Sequence, residues 1–228
     1  MMFNTVNENL IISYLTLRKL IGILGMLLPF VCLFGGSIFL GRPVLDSISA
    51  YYHSNMRDVL TGLLVGVSLF LMAYKGYKGY DTWLAILSGV AGLGIALFPC
   101  ASRIDPSTPV GILQLTPPLA TVLHFGSSVL FFILLAVYSF FVFTIGDKQN
   151  WTKSKTKRNI IYRTCAIIIM ASLATLLILL LTLGGEGIEA TIWTFIFETV
   201  MLWAFGFSWW VKGETLFKDK KDEPRFAK

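Results

Sequence analysis

Nineteen Lys and Arg residues punctuate this 228-residue chain, and sixteen of them fall on alternate connections between long apolar runs. The runs cover 20–40, 59–74, 83–100, 119–145, 164–183 and 188–211. A helix needs about 20 apolar residues to cross the hydrocarbon of a bilayer. The second run, at 16 residues, is short, about 24 Å at 1.5 Å per residue, and Lys75 can extend it by snorkelling. These runs lack the alternation of a barrel strand, and backbone groups in lipid must be satisfied within helices or a closed barrel. The pattern therefore predicts an all-α, polytopic bundle of six transmembrane helices.

The basic residues orient it. Arg18 and Lys19 precede the first run, and Lys75 and Lys78 follow the second. Lys148, Lys153, Lys155, Lys157, Arg158 and Arg163 follow the fourth, and Lys212, Lys218, Lys220, Lys221, Arg225 and Lys228 follow the sixth. The other connections hold Arg42, Arg57 and Arg103. The positive-inside rule then places both termini in the cytoplasm. The chain divides into a cytoplasmic segment (1–19), a transmembrane domain (20–211) and a charged cytoplasmic tail (212–228). The first run has no small-residue cleavage site behind it and reads as a retained span. The net charge of +6 reflects this topology, and the basic stretch 153–158 reads as an anchor beside anionic lipid rather than a nucleic-acid site.

Inside the spans, Gly62 with Gly66, and Ser88, Gly92 and Ala96, form small-x3-small steps that permit close helix approach. Pro29 is placed to kink the first span. Cys32, Cys100 and Cys165 have no metal-type spacing and are assigned to packing. The two halves show no matched pair of Gly/Pro-broken spans, the usual pointer to a transporter site.

Functional residues gather on the outward side. The connection 43–58 reads PVLDSISAYYHSNMRD, too long and too aromatic for a plain linker. It is amphipathic enough to lie as a short interfacial helix, and its 51–58 part is expected to form an ordered lid over an outer pocket. Asp46, Asp58, Asp105, Glu186 and Glu189 outnumber Arg42, Arg57 and Arg103 there, which suits a cation or a polar headgroup. His124 falls about 8 Å into the fourth span, and Glu198 about ten residues, or 15 Å, into the sixth. An ionisable group at such depth costs about 2.5–3.5 kcal/mol unless it faces the bundle interior, a partner or water. Glu198 is thus expected inside the bundle with His124 as its neighbour, in a polar cluster with Ser49, Tyr52, His53, Arg57 and Asp58.

Two histidines and one or two carboxylates are an allowed catalytic zinc set, so His53, His124, Asp58 and Glu198 are candidate ligands of a divalent metal such as zinc. Asp58 has a second role open to it, at the N-terminus of the second span, where a carboxylate caps free amides and meets the helix dipole. A Ser49/His53/Asp58 hydrolase lacks a nucleophile-elbow context.

The string Tyr51-Tyr52-His53-x-x-Met56-Arg57-Asp58, the Ala96-Leu97-Phe98-Pro99 ending of the third run and the Phe205-Gly206-Phe207-Ser208-Trp209 element resemble a family of six-span bacterial inner-membrane proteins. That resemblance covers most of the chain and implies an architecture without an activity. Ser49 and His53, with Asp58, also resemble the Ser-x3-His step and Asp of the alkaline ceramidase and adiponectin receptor hydrolases, whose resemblance implies zinc. Their late His-x3-His pair is absent here and the chain is one span shorter, so their three-histidine site does not carry over. The sequence leaves three functions open: an outward pocket that binds or transports a small ligand, ion or lipid headgroup; a metal-dependent lipid hydrolase; or a structural role among membrane lipids.

Overall fold

The computed structural model describes residues 13–39, 41, 43–76, 79–100, 107–146 and 151–218. Arg42, Lys78, Arg103, Asp105, Lys148, Lys220, Lys221, Arg225 and Lys228 lie outside the described residues, as do most of the terminal segments. The described chain is an all-helical bundle: α1 (Tyr14–Leu33), α2 (Arg57–Met72), α3 (Gly79–Leu97), α4 (Pro117–Val137), α5 (Lys153–Glu189) and α6 (Trp193–Lys212). Among the described residues, five helical stretches are long and apolar enough to cross a membrane: Tyr14–Ile38, Gly79–Leu97, Pro117–Val142, Lys153–Glu189 and Trp193–Lys212. At 16 residues, α2 falls short of the bilayer core, about 24 Å against about 30 Å.

Local chemistry sets the ends of these helices. The Ser13 and Thr152 hydroxyls accept from Thr16 N and Lys155 N at the starts of α1 and α5. Pro117 and Pro118 open α4, where their missing N–H groups cost nothing. Two helices loosen into π turns at their ends, α1 over Phe34–Ile38 and α4 over Tyr138–Val142. α5 breaks at Gly184, whose φ of 73° lies in the left-handed region that favours glycine. That break agrees with the end of the fifth apolar run. The 185–189 turn and the connection after it push the start of α6 to Trp193.

Each helix packs on its neighbour in sequence, and α1 closes the ring against α6. Gly22 and Gly206 carry that closure: a Cβ on either would stand 2.5 Å from the other's carbonyl oxygen. In the α2–α3 seam, Gly89 lies against Ser68 and Met72, and Gly92 against Ser68 and Phe131. The Gly62–Gly66 step is different, since a Cβ at either would meet nothing within 4 Å. A small residue permits close approach but does not draw a neighbour to its face.

The two ends of the ring are filled differently. At one, Trp209 packs against Tyr74, Tyr138 and Phe143 with ring centroids 5.2, 5.5 and 5.0 Å away. The Lys155 and Lys212 ammonium groups both donate to the Phe143 carbonyl at 3.1 Å, which the preceding π turn leaves at the helix end. Arg18 donates to the Tyr74 hydroxyl at 2.7 and 3.0 Å, and buried Arg158 donates to the Phe217 carbonyl. The basic 153–158 stretch forms the first turns of α5, where Lys155 and Arg158 donate to carbonyls.

The glycine geometry makes a paired prediction. Gly22→Ala should destabilise the detergent-solubilised protein by about 1–3 kcal/mol through overpacking. Gly62→Ala should leave stability unchanged or raise it by up to about 1 kcal/mol. Thermal unfolding of the two variants checks both, and equal losses would remove the close α1–α6 approach as a determinant.

Candidate functional site

At the other end of the ring, the 43–56 loop folds inward as a roof. The π turn of α1 supplies its seat: Gly36 lies under the Tyr51 ring and Gly35 under Met56. The Tyr51 side chain is fully buried, and its hydroxyl pairs with Ser37 Oγ at 2.7 Å. Ser37 in turn donates to the Pro43 carbonyl at 3.2 Å. Residues Ser49–His53 form a short 3-10 helix.

Two bonds staple this loop to α6. Phe195 N donates to the Asp46 carbonyl at 2.7 Å, and Ile48 N donates to Glu198 Oε2 at 2.6 Å. The Ser49 amide lies on the same carboxylate. Glu198 is part-buried and five residues into α6, roughly 7.5 Å from its start. The expected depth of ten residues came from counting the apolar run back to Ile188, whereas the helix begins at Trp193.

His124 is buried on α4 and uses both ring nitrogens. Nδ1 lies 2.7 Å from the Phe98 carbonyl, and Nε2 lies 2.9 Å from Ser49 Oγ. A carbonyl only accepts, so in the neutral imidazole Nδ1 carries the proton and Nε2 accepts from the Ser49 hydroxyl. Ser49 therefore joins the two residues expected as neighbours: its side chain meets His124 and its amide meets Glu198.

Beneath the roof is a partly open cavity of about 50 Å³. Ser49, Tyr52, His124 and Glu198 line it, together with Thr61 and Ser128. Its remaining wall is mostly apolar, from Leu28, Leu60, Leu64, Phe131, Phe132 and Leu202. At roughly 10–15 Å³ per water on this measure, it has room for a few waters or one small polar group.

The other expected site residues stand outside the lining. His53 Nε2 donates to the Cys100 carbonyl at 2.8 Å. Arg57 is exposed, donates to the Tyr52 carbonyl at 3.3 Å and lies 5.0 Å from the Tyr52 ring centroid. Asp58 is exposed in the first turn of α2, where its charge meets the positive end of the helix dipole. No side chain caps that helix. His53, His124, Asp58 and Glu198 are not gathered into a ligand set, and among the described residues no three His, Cys, Asp or Glu side chains are grouped to hold a metal ion.

Sequence reasoning missed Thr61, Ser128 and the Gly35-Gly36-Ser37 seat. Ser128 had a signal, since it stands four residues after His124 and so on the same helix face. The seat had none, because a π turn leaves no mark in hydropathy. No family model, curated protein or solved structure matches the chain.

Removing the carboxylate separates its structural part from any other. Glu198→Leu leaves the Ile48 amide without an acceptor and should cost about 1–3 kcal/mol, with faster amide exchange at Ile48 and Ser49. Glu198→Gln keeps an acceptor oxygen and should retain most of the protection. Unchanged exchange in Glu198→Leu would show that the loop is held without this bond.

Proposed function

We propose that the chain is a six-span inner-membrane protein, both termini cytoplasmic, whose outward-facing pocket binds an amphiphile of the membrane. The supporting observation is the division of the cavity wall. Ser49, Tyr52, Thr61, His124, Ser128 and Glu198 supply polar groups, and aliphatic and phenyl side chains supply the rest. Ligand sites are commonly concave and mostly apolar, with a few polar groups that fix orientation. A bare ion would find the apolar wall a poor solvent, whereas the linkage region of a lipid presents polar atoms flanked by hydrocarbon. The small volume admits that linkage and leaves the chains outside.

The six-span reading counts α2 as a span that neighbours and Lys75 help to accommodate. Lys75 is exposed just past its end. Reporter fusions near Thr108 and at the C-terminus should label opposite sides of the membrane, and the C-terminal one should be cytoplasmic. A reporter at the C-terminus active in the periplasm would reverse the pocket's direction.

Native mass spectrometry of the purified protein tests the ligand. Wild-type protein should retain lipid. Leu64→Trp, which fills the cavity, should reduce retention at least tenfold, and Leu181→Trp on the exposed face of α5 should not. Equal retention in Leu64→Trp would place bound lipid elsewhere and return Glu198 and His124 to a structural role.

A further inference from the structure

The geometry points to Ser49 as a nucleophile with His124 as its general base, which makes the pocket the active site of a hydrolase for carboxylic esters of membrane lipids. This rests on the pocket reading above and adds a reaction to it. The Ser49 hydroxyl, His124 Nε2, His124 Nδ1 and Phe98 carbonyl form one chain with links of 2.9 and 2.7 Å. An acceptor on Nδ1 fixes the tautomer in which Nε2 can take a proton from serine, the role a carboxylate has in a catalytic triad. Such a dyad needs a substrate-accessible serine, and Ser49 lines the cavity. It also needs a fixed base, and His124 is buried and bonded at both nitrogens.

In the reaction, Ser49 Oγ attacks the ester carbonyl carbon and its proton passes to His124 Nε2. The C–O bond to the alcohol then breaks, and the leaving alkoxide takes that proton. Water attacks the acyl-Ser49 carbonyl, giving one proton to His124. The acyl–Oγ bond breaks, the proton returns to Ser49, and a carboxylic acid leaves. No oxidant or metal is required for the balance. The Tyr52 and Ser128 side chains line the cavity and make no hydrogen bond among the described residues, so their hydroxyls are the donors available to the tetrahedral oxyanion. Glu198 is a positioning residue: its carboxylate holds the Ile48–Ser49 backbone.

An alkyl fluorophosphonate on protein in lipid nanodiscs supplies the test, read by intact and peptide mass spectrometry. The expected result is one adduct per chain on Ser49, absent in Ser49→Ala, and formed at least about a hundredfold more slowly in His124→Gln. Wild-type protein should also release nitrophenol from p-nitrophenyl octanoate, with a slower rate in heavy water, and Ser49→Ala should not. Should His124→Gln fail to fold, the isotope effect in wild-type protein still reports the proton transfer, and its absence overturns the role of His124. Retained lipid without a Ser49 adduct overturns the hydrolase and leaves the binding reading intact. An adduct with ester turnover but no retained lipid removes the lipid ligand and keeps the dyad for smaller esters. An adduct without turnover leaves a reactive serine and overturns the hydrolase.

Discussion

The bond from the Ile48 amide to the Glu198 carboxylate, 2.6 Å long, is the contact on which the loop end of the molecule depends. A backbone amide withdrawn from water needs a partner, and a loop that crosses the mouth of a helical ring exposes several at once. A side chain from the second turn of α6 is long enough to reach them, and a charged acceptor strengthens the bond. Together with the Phe195–Asp46 bond, it turns 43–56 from a connection into a roof. Ser49 owes its place beside His124 to this arrangement, because its own amide is held at the same carboxylate.

The π turns at opposite ends of the ring solve related problems. In α1 the widened turn brings Gly35 and Gly36 under the incoming Met56 and Tyr51 side chains, so the roof is seated by shape. In α4 the widened turn presents the Phe143 carbonyl to two lysines, so that end is closed by two hydrogen bonds on one carbonyl around an aromatic cluster. Lys212 Nζ lies 5.1 and 5.6 Å from the Phe143 and Tyr162 ring centroids, within the range of a cation–π attraction. The Trp209 end is thus filled by rings and lysine–carbonyl bonds, and the loop end holds the cavity lined by Ser49 and His124.

The sequence carried the helices well because hydrocarbon imposes length and composition together. It even located the Gly184 break through the end of an apolar run. It carried the site less completely. His124 and Glu198 were legible as ionisable groups inside spans, and Ser49 and Tyr52 as one side of an amphipathic loop; all four line the cavity. His53, Arg57 and Asp58 had the same chemistry but face carbonyls, a ring or solvent, since residue type does not tell which side of a roof a side chain occupies. Glu198 was placed too deep because hydropathy cannot distinguish an irregular apolar connection from a helical turn. The Gly22–Gly206 contact was hidden for a related reason: its two glycines are far apart in sequence, and neither belongs to a small-x3-small step.

The hydrogen-bond inventory of His124 ties structure to chemistry. A buried imidazole needs two partners, and a purely structural histidine would be equally content with two carbonyls if protonated or with any donor and acceptor if neutral. Here one partner is an obligate acceptor and the other is a hydroxyl on the cavity wall. The first fixes the proton on Nδ1, so the second meets a lone pair. The same pair of bonds that satisfies His124 therefore leaves Ser49 as the polarised group at the junction between the roof and the apolar wall. That junction is where the polar and the apolar parts of the cavity lining meet.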